Sequence, residues 1–306
     1  MLKLPKNTIF IILCFLVVAA FSPAQETPAA KSRHFSAFFP ENRAKTAEIF
    51  LDLAEEARSR VHKDVSIPLN EHIQLVYCDT EKEFLRKSGM SPEHFLACAS
   101  PQKKMITING ARLQAQDPKD YFSVLVHEYA HIYIGLRIKR DLPRWLNEGL
   151  AMHLAGEWSL GSYFRLSMAH IFGKLIPFSH LDASFPHNGG DISLAYIQSY
   201  AFTDFLMNNF FGGGGLNSFM RMLSDPAENK RILDTLWDPV IVESLERQWR
   251  KSLGGWIRNA IFVFTSTSLL WFALASLFIL AYLKKRKKVK EQMEVWENEE
   301  DFYSEY

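Results

Sequence analysis

His127-Glu128-Tyr129-Ala130-His131 is the stretch on which the interpretation of this chain turns. On a helix, residues four apart share a face, so both imidazoles can converge on one metal ion. Glu128 is turned about 100° from His127 and stands beside that point rather than on it. There it can take a proton from a water whose pKa zinc lowers from about 15.7 towards about 7. Tyr121, Val124, Leu125 and Ile132 form an apolar stripe, which predicts a core-packed helix over 120–136. Histidines on a buried helix need polar partners, and a metal ion supplies one. An amphipathic helix with two histidines on its wet face is the plainer alternative, and that stripe argues against it.

A third ligand should come from a separate element. Glu148 lies 17 residues beyond His131, inside Leu142-Pro143-Arg144-Trp145-Leu146-Asn147-Glu148-Gly149-Leu150-Ala151. Residues 135–141 form a loop that lets the chain turn back, and Pro143 suits the first turn of a helix over 145–155. A carboxylate here completes a two-His, one-Glu donor set with a fourth position left for water.

Together, H-E-x-x-H and W-L-N-E-G-x-A resemble the motifs of the gluzincin zinc metallopeptidases. The pattern is most similar to the bacterial peptidase MA-like domains, related to the aminopeptidase N catalytic domain, over roughly residues 70–250. The resemblance implies that His127, His131 and Glu148 hold one Zn2+ per chain and that Glu128 is the general base. It also implies a tyrosine on a later helix, in a Y-x-x-G-type context, that steadies the oxyanion. Tyr196-Ile197-Gln198-Ser199 occupies the comparable place, with Ser for Gly. Tyr196 is the candidate, Tyr200 one turn on is the alternative, and an ordinary aromatic helix contact is the reading against both.

Two departures matter. The aminopeptidases grip a free amino terminus with the Glu of a G-x-M-E-N stretch, whereas Met105-Ile106-Thr107-Ile108-Asn109-Gly110 has no acidic residue. That favours cleavage within a chain, with the Met105–Ile108 strand as the cleft edge pairing with extended substrate. The thermolysin-type Asp four residues past the third ligand is Met152 here, so no orienting partner is assigned to His127 or His131. His153 and His180 are left as structural.

Elsewhere the pattern predicts an α+β fold, a small mixed sheet followed by a mostly helical catalytic lobe. A helix over 43–61, strands over 72–77 and 105–108, and a capping box at Thr80-Glu81-Lys82-Glu83 precede the lobe. Asn109-Gly110 is a turn signal. Helices over 191–211, 216–224 and 239–252 follow, and the glycine run 212–215 is a helix stop, since phosphate loops lead from a strand into a helix.

The ends locate the body. Lys3 and Lys6 precede an uncharged run of 14 residues, Thr8 to Phe21, with small residues after it. At about 21 Å it is too short to span, and 1–24 reads as a signal peptide. Residues 25–40 read as a linker and 41–255 as an extracytoplasmic peptidase domain. Ala260 to Leu283 is an uncharged run of 24 residues followed at once by Lys284, Lys285, Arg286, Lys287 and Lys288. It reads as one transmembrane helix whose basic flank stays cytoplasmic, with a disordered tail over 284–306. Cys78 and Cys98 could bridge or remain two buried thiols. A net charge of +1 excludes a nucleic-acid binder. The expected function is a membrane-anchored metalloendopeptidase acting on peptides or proteins outside the cytoplasm. Two alternatives stay open: a catalytically silent tethered binding or assembly module that keeps the fold, and hydrolysis of a non-peptide amide.

Overall fold

The computed structural model describes residues 27–90, 95–113, 118–186 and 189–304. The expected signal segment, 1–24, lies outside the described residues.

Five strands form one mixed sheet in the order β1 (Ala30–Lys31), β2 (Phe35–Phe38), β3 (Ile73–Cys78), β5 (Met105–Asn109), β4 (Ala97–Ser100). The three central strands run parallel, with Ala37 opposite Leu75 and Leu75 opposite Ile106; β1 and β4 lie antiparallel at the edges. Helix α1 (Ala44–Lys63) crosses from β2 to β3 and buries Ala47, Phe50, Leu51, Ala54, Ala57 and Val61, the stripe its apolar spacing predicts. Helix α2 (Glu81–Ser88) begins where the Thr80 hydroxyl accepts the Glu83 N–H at 3.2 Å, as its capping signature predicts.

The described part of the expected linker, residues 27–40, is built into the fold: it supplies β1 and β2, with Phe35 and Ala37 fully buried. The Pro- and Ala-rich composition hides that inward alternation. Glu55 of α1 locks the turn between them, accepting from the Ser32 hydroxyl at 2.6 Å and the His34 N–H at 2.8 Å. Asn109-Gly110 is not a hairpin turn either. Asn109 ends β5 fully buried, and Gly110 opens the short helix α3 (Gly110–Leu113). The hairpin lies before β5, where a 3-10 turn over Pro101–Lys103 and Lys104 at φ 49° reverse the chain. Cys78 pairs with Asn109 and Cys98 with Thr107, so β5 separates them by two strand spacings, about 10 Å and beyond disulfide reach. Both cysteines are free, and burial pushes each thiol up to about 12.

The helical lobe comprises α4 (Pro118–Arg137), α5 (Arg144–Ala155), α6 (Leu160–Ile171), α7 (Phe178–Ala183), α8 (Gly189–Asn209), α9 (Gly215–Ser224), α10 (Pro226–Leu236) and α11 (Pro239–Ser304). Helix α5 lies between α4 and α8. Trp145, Phe178, Phe202 and Trp249 meet in one aromatic cluster, with Phe178 and Phe202 stacked at 4.1 Å and Trp249 at 5.5 Å and 5.6 Å from them. The expected helix over 239–252 therefore belongs to the core, but it does not stop there. It runs on through the expected tail to Ser304, because the Lys- and Glu-rich tail is built of strong helix formers. From Thr267 to Lys290 it is long and apolar enough to cross a membrane and none of it is buried. Trp271 is 71% exposed and Phe278 82%, values incompatible with a soluble core helix and compatible with a single membrane anchor.

Candidate metal centre

Helix α4 is held by its apolar face. Leu125, Val126, Tyr129, Ile132 and Tyr133 are buried, and the two phenols are tied down, Tyr129 to His62 Nε2 at 3.1 Å and Tyr133 to the Ile67 carbonyl at 2.8 Å. That fixes the helix rotation and turns His127 and His131 towards α5. There Glu148, 8% exposed, meets them: its Oε2 is 3.3 Å from His131 Nε2 and 3.6 Å from His127 Nε2. The two Nε2 atoms are 3.1 Å apart, and one ligand atom from each of the three residues lies within 4.8 Å of the others.

This arrangement tests whether a cation fits. His127 Nδ1 faces Glu157 Oε1 at 3.1 Å and His131 Nδ1 faces Asn147 Oδ1 at 3.4 Å. Both partners are acceptors, so the Nδ1 hydrogens donate outward and both Nε2 lone pairs point inward. Glu148 Oε2 points to the same spot and is buried without a hydrogen-bond partner. Three convergent lone-pair donors repel one another unless a cation, whether a metal ion or a shared proton, sits between them. The electrostatics agree. Burial alone would raise the Glu148 carboxyl, but His131 and His127 reverse that and hold it well below the usual carboxylate range. Burial opposes charge on His127, yet Glu148 and Glu157 outweigh it and drive that pKa well above its ordinary value. The cluster demands positive charge.

Glu128 stands beside the three candidate ligands. Burial raises its carboxyl, the two histidines pull it partly back, and the Ala99 backbone N–H of β4 supports the anion. The strand along this cleft is thus β4. The predicted edge, Met105–Ile108, is internal, between β3 and β4, because the unrecognised strand Ala97–Ser100 covers it. Strand β4 also carries no acidic residue.

Tyr196 of α8 lines the same cleft, its ring 6.2 Å from the His127 ring and 5.2 Å from Phe185. Burial, then Glu148 and Glu128, push its hydroxyl pKa upwards, so it stays protonated. Tyr200 does not reach the cluster. It is stacked between His153 at 3.8 Å and Trp158 at 4.4 Å. His153 bonds the Tyr200 carbonyl at 3.2 Å, a structural contact, and His180 lies exposed away from the site. Buried Gln198 anchors α8 through paired 2.9 Å bonds to the Ile176 backbone.

The orienting residues Glu157 and Asn147 escaped the sequence. Helical spacing points to Met152, but α5 ends at Ala155 and Gly156, at φ 73°, swings the next residue back towards His127. The Ala-Gly-Glu sequence after the helix was the available signal. Asn147 was visible as the residue preceding Glu148.

Two recesses, about 700 Å³ and 450 Å³, share His127, Glu128 and Tyr196. One extends along α4 towards Lys139 and the other towards Ser123. From Ser123 to its end at Arg137 the helix rises about 21 Å, room for about six extended residues.

A mixed sheet, a helix carrying H-E-x-x-H and a buried carboxylate facing it from the next helix fit the zincin class of peptidase fold. The chain belongs to the peptidase MA superfamily, whose profile matches residues 53–255, about two thirds of its length. No curated protein matches it. Membership of this superfamily supports a metallopeptidase.

Proposed function

We propose that the protein is a membrane-anchored zinc metalloendopeptidase. In this reading His127, His131 and Glu148 hold one Zn2+, and Glu128 is the general base. The observation that carries it is the convergence of two imidazole Nε2 atoms on the Glu148 oxygen that lacks a hydrogen-bond partner, with Glu128 beside them in the same recess. Bound zinc would polarise the attacked carbonyl and acidify water at neutral pH. Glu128, with its pKa lifted by burial, is suited to take the proton of the attacking water and return it to the leaving amine. The protonated Tyr196 hydroxyl can donate to the developing oxyanion. Edge strand β4 offers unpaired backbone groups to an extended peptide, and the recesses on both sides of the cluster support cleavage within a chain rather than at an end.

The body would work outside the cytoplasm, with 1–24 as an export signal, 260–283 as the membrane span and the Lys284–Lys288 cluster on the cytoplasmic side. A silent tethered module would have no use for a carboxylate held beside the His127, His131 and Glu148 cluster by the Ala99 backbone N–H. The test is cleavage of a mixed peptide library by the zinc-loaded full chain in detergent micelles. The parent should cut internal bonds, and Glu128→Gln, at equal zinc content, should lose at least about a thousandfold in rate. Equal turnover by both would sink the mechanism, and a parent that holds zinc but cuts nothing would favour the silent module.

A further inference from the structure

The two ends of the trough differ in chemistry. The recess towards Ser123 is lined by Val124, Met152, Ile192 and Ile197, with no Lys or Arg among the described residues that line it; its one outlying acid, Glu157, is engaged with His127. The recess towards Lys139 carries Lys139, Arg140 and Arg144 against Asp141. Of those cations, Arg140 is exposed and paired with Asp234 at 3.1 Å, and Lys139 is exposed, where solvent screens it.

Arg144 is different. It opens α5 one turn before Glu148, on the same helix face as that ligand. It is half-buried, and its guanidinium carbon lies 4.8 Å over the Phe185 ring, which in turn packs on Tyr196. Asp182, the nearby acid, accepts from the Arg144 backbone N–H at 3.0 Å. Among the described residues, no carboxylate pairs with the Arg144 side chain. It lines the same recess as Glu128, Glu148 and Tyr196, so it stands close to the reacting centre. A stacked, partly desolvated guanidinium with unspent donors is built to take a carboxylate in a fork.

Resting on the endopeptidase reading above, we propose that Arg144 is a specificity residue that anchors a substrate carboxylate close to the scissile bond, making the substrates peptides that are acidic on one side of the cut and apolar on the other. That carboxylate comes from an Asp or Glu side chain or from a peptide C-terminus.

The test uses the zinc-loaded full chain in detergent and quenched peptides carrying Glu or Gln at each of three positions on either side of one bond, with free or amidated C-termini. The readout is the ratio of kcat/KM for each acidic peptide over its neutral partner. The parent should favour acid at one position by about tenfold to a hundredfold. Arg144→Gln should collapse the ratio towards one, Arg144→Lys should leave an intermediate ratio, and Lys139→Gln should keep the parent's. If only free C-termini are favoured, the terminal carboxylate is the anchor's partner; if amidation changes nothing, it is the side chain. No acid preference in the parent, or a preference that survives Arg144→Gln, overturns the proposal. If nothing is cleaved, the same peptides, fluorescently labelled, are titrated against zinc-loaded Glu128→Gln. An acid preference in binding that Arg144→Gln removes would support the anchor while the hydrolytic reading falls. Absence of any acid preference there overturns the anchor as well.

Discussion

Tyr196 and Tyr200 lie one turn apart on α8, yet their surroundings give them different tasks. Tyr196 faces the ligand cluster with a hydroxyl that stays protonated, whereas Tyr200 is sandwiched between His153 and Trp158. Tyr196→Phe should lower kcat about a hundredfold at unchanged zinc content. Tyr200→Phe keeps the ring stacked between His153 and Trp158 and should leave kcat near the parent's. Steady-state kinetics on one cleaved peptide checks both, and the reverse pattern would reassign the oxyanion donor. His62 offers a separate test in the protein's pH response. Burial, with the Arg58 charge behind it, pushes its pKa down from 6.5 to about 4, and it bonds Tyr129 on the ligand helix. The unfolded chain therefore takes up this proton at a higher pH than the folded one. The stability from neutral His62 is fully present above pH 6.5 and is lost as pH falls towards about 4. In melting curves across that window, His62→Gln should show a shallower fall in Tm than the parent; an identical slope would mean His62 does not titrate this way.

At the scale of elements, the decisive event is the approach of α5 to α8. A Cβ at Gly149 would collide with the Thr203 hydroxyl and lie 2.5 Å from the Ser199 carbonyl oxygen, so the Gly of Asn-Glu-Gly sets how closely the Tyr196 helix can pass the Glu148 helix. The fully buried Ser199, standing where a Gly was expected, is the small residue on the other side. Gly149→Ala should destabilise by about 1–3 kcal/mol or more and slow cleavage by displacing Tyr196, measured by denaturant unfolding and kcat together. Unchanged stability would mean the helices have slack. That His127 and His131 face one point was legible because i, i+4 spacing on a helix needs no tertiary knowledge. Strand β4 was not, because Ala97-Cys98-Ala99-Ser100 lacks alternation and large β-formers, and its strand state depends on pairing with β5. Glu157 was not, since its place depends on how the chain leaves α5 at Gly156.

At the scale of the whole molecule, α11 joins the peptidase MA domain to the apolar segment. Val242, Leu245 and Trp249 are buried in the peptidase core, and Glu246 accepts from the Phe178 N–H at 3.2 Å and from Arg250 Nε at 2.8 Å. The same helix continues into the apolar segment without a break. The sequence predicted the two ends of this helix but not their continuity, because Gly254-Gly255 signals a boundary that neighbouring helix formers override. Ending the chain at residue 238 removes about 5–8 kcal/mol of apolar burial, comparable to the whole stability of a domain. That chain should be protease-sensitive, and one ending at 255 should resist; equal resistance would show that the first turns of α11 are dispensable. The most direct measurement concerns the metal itself: elemental analysis of zinc bound to the purified full chain and two variants. One zinc per chain is expected in the parent and in Glu128→Gln, and almost none in Glu148→Ala. Full zinc in Glu148→Ala, or none in the parent under zinc-replete conditions, would contradict the three-ligand centre and the hydrolytic function built on it.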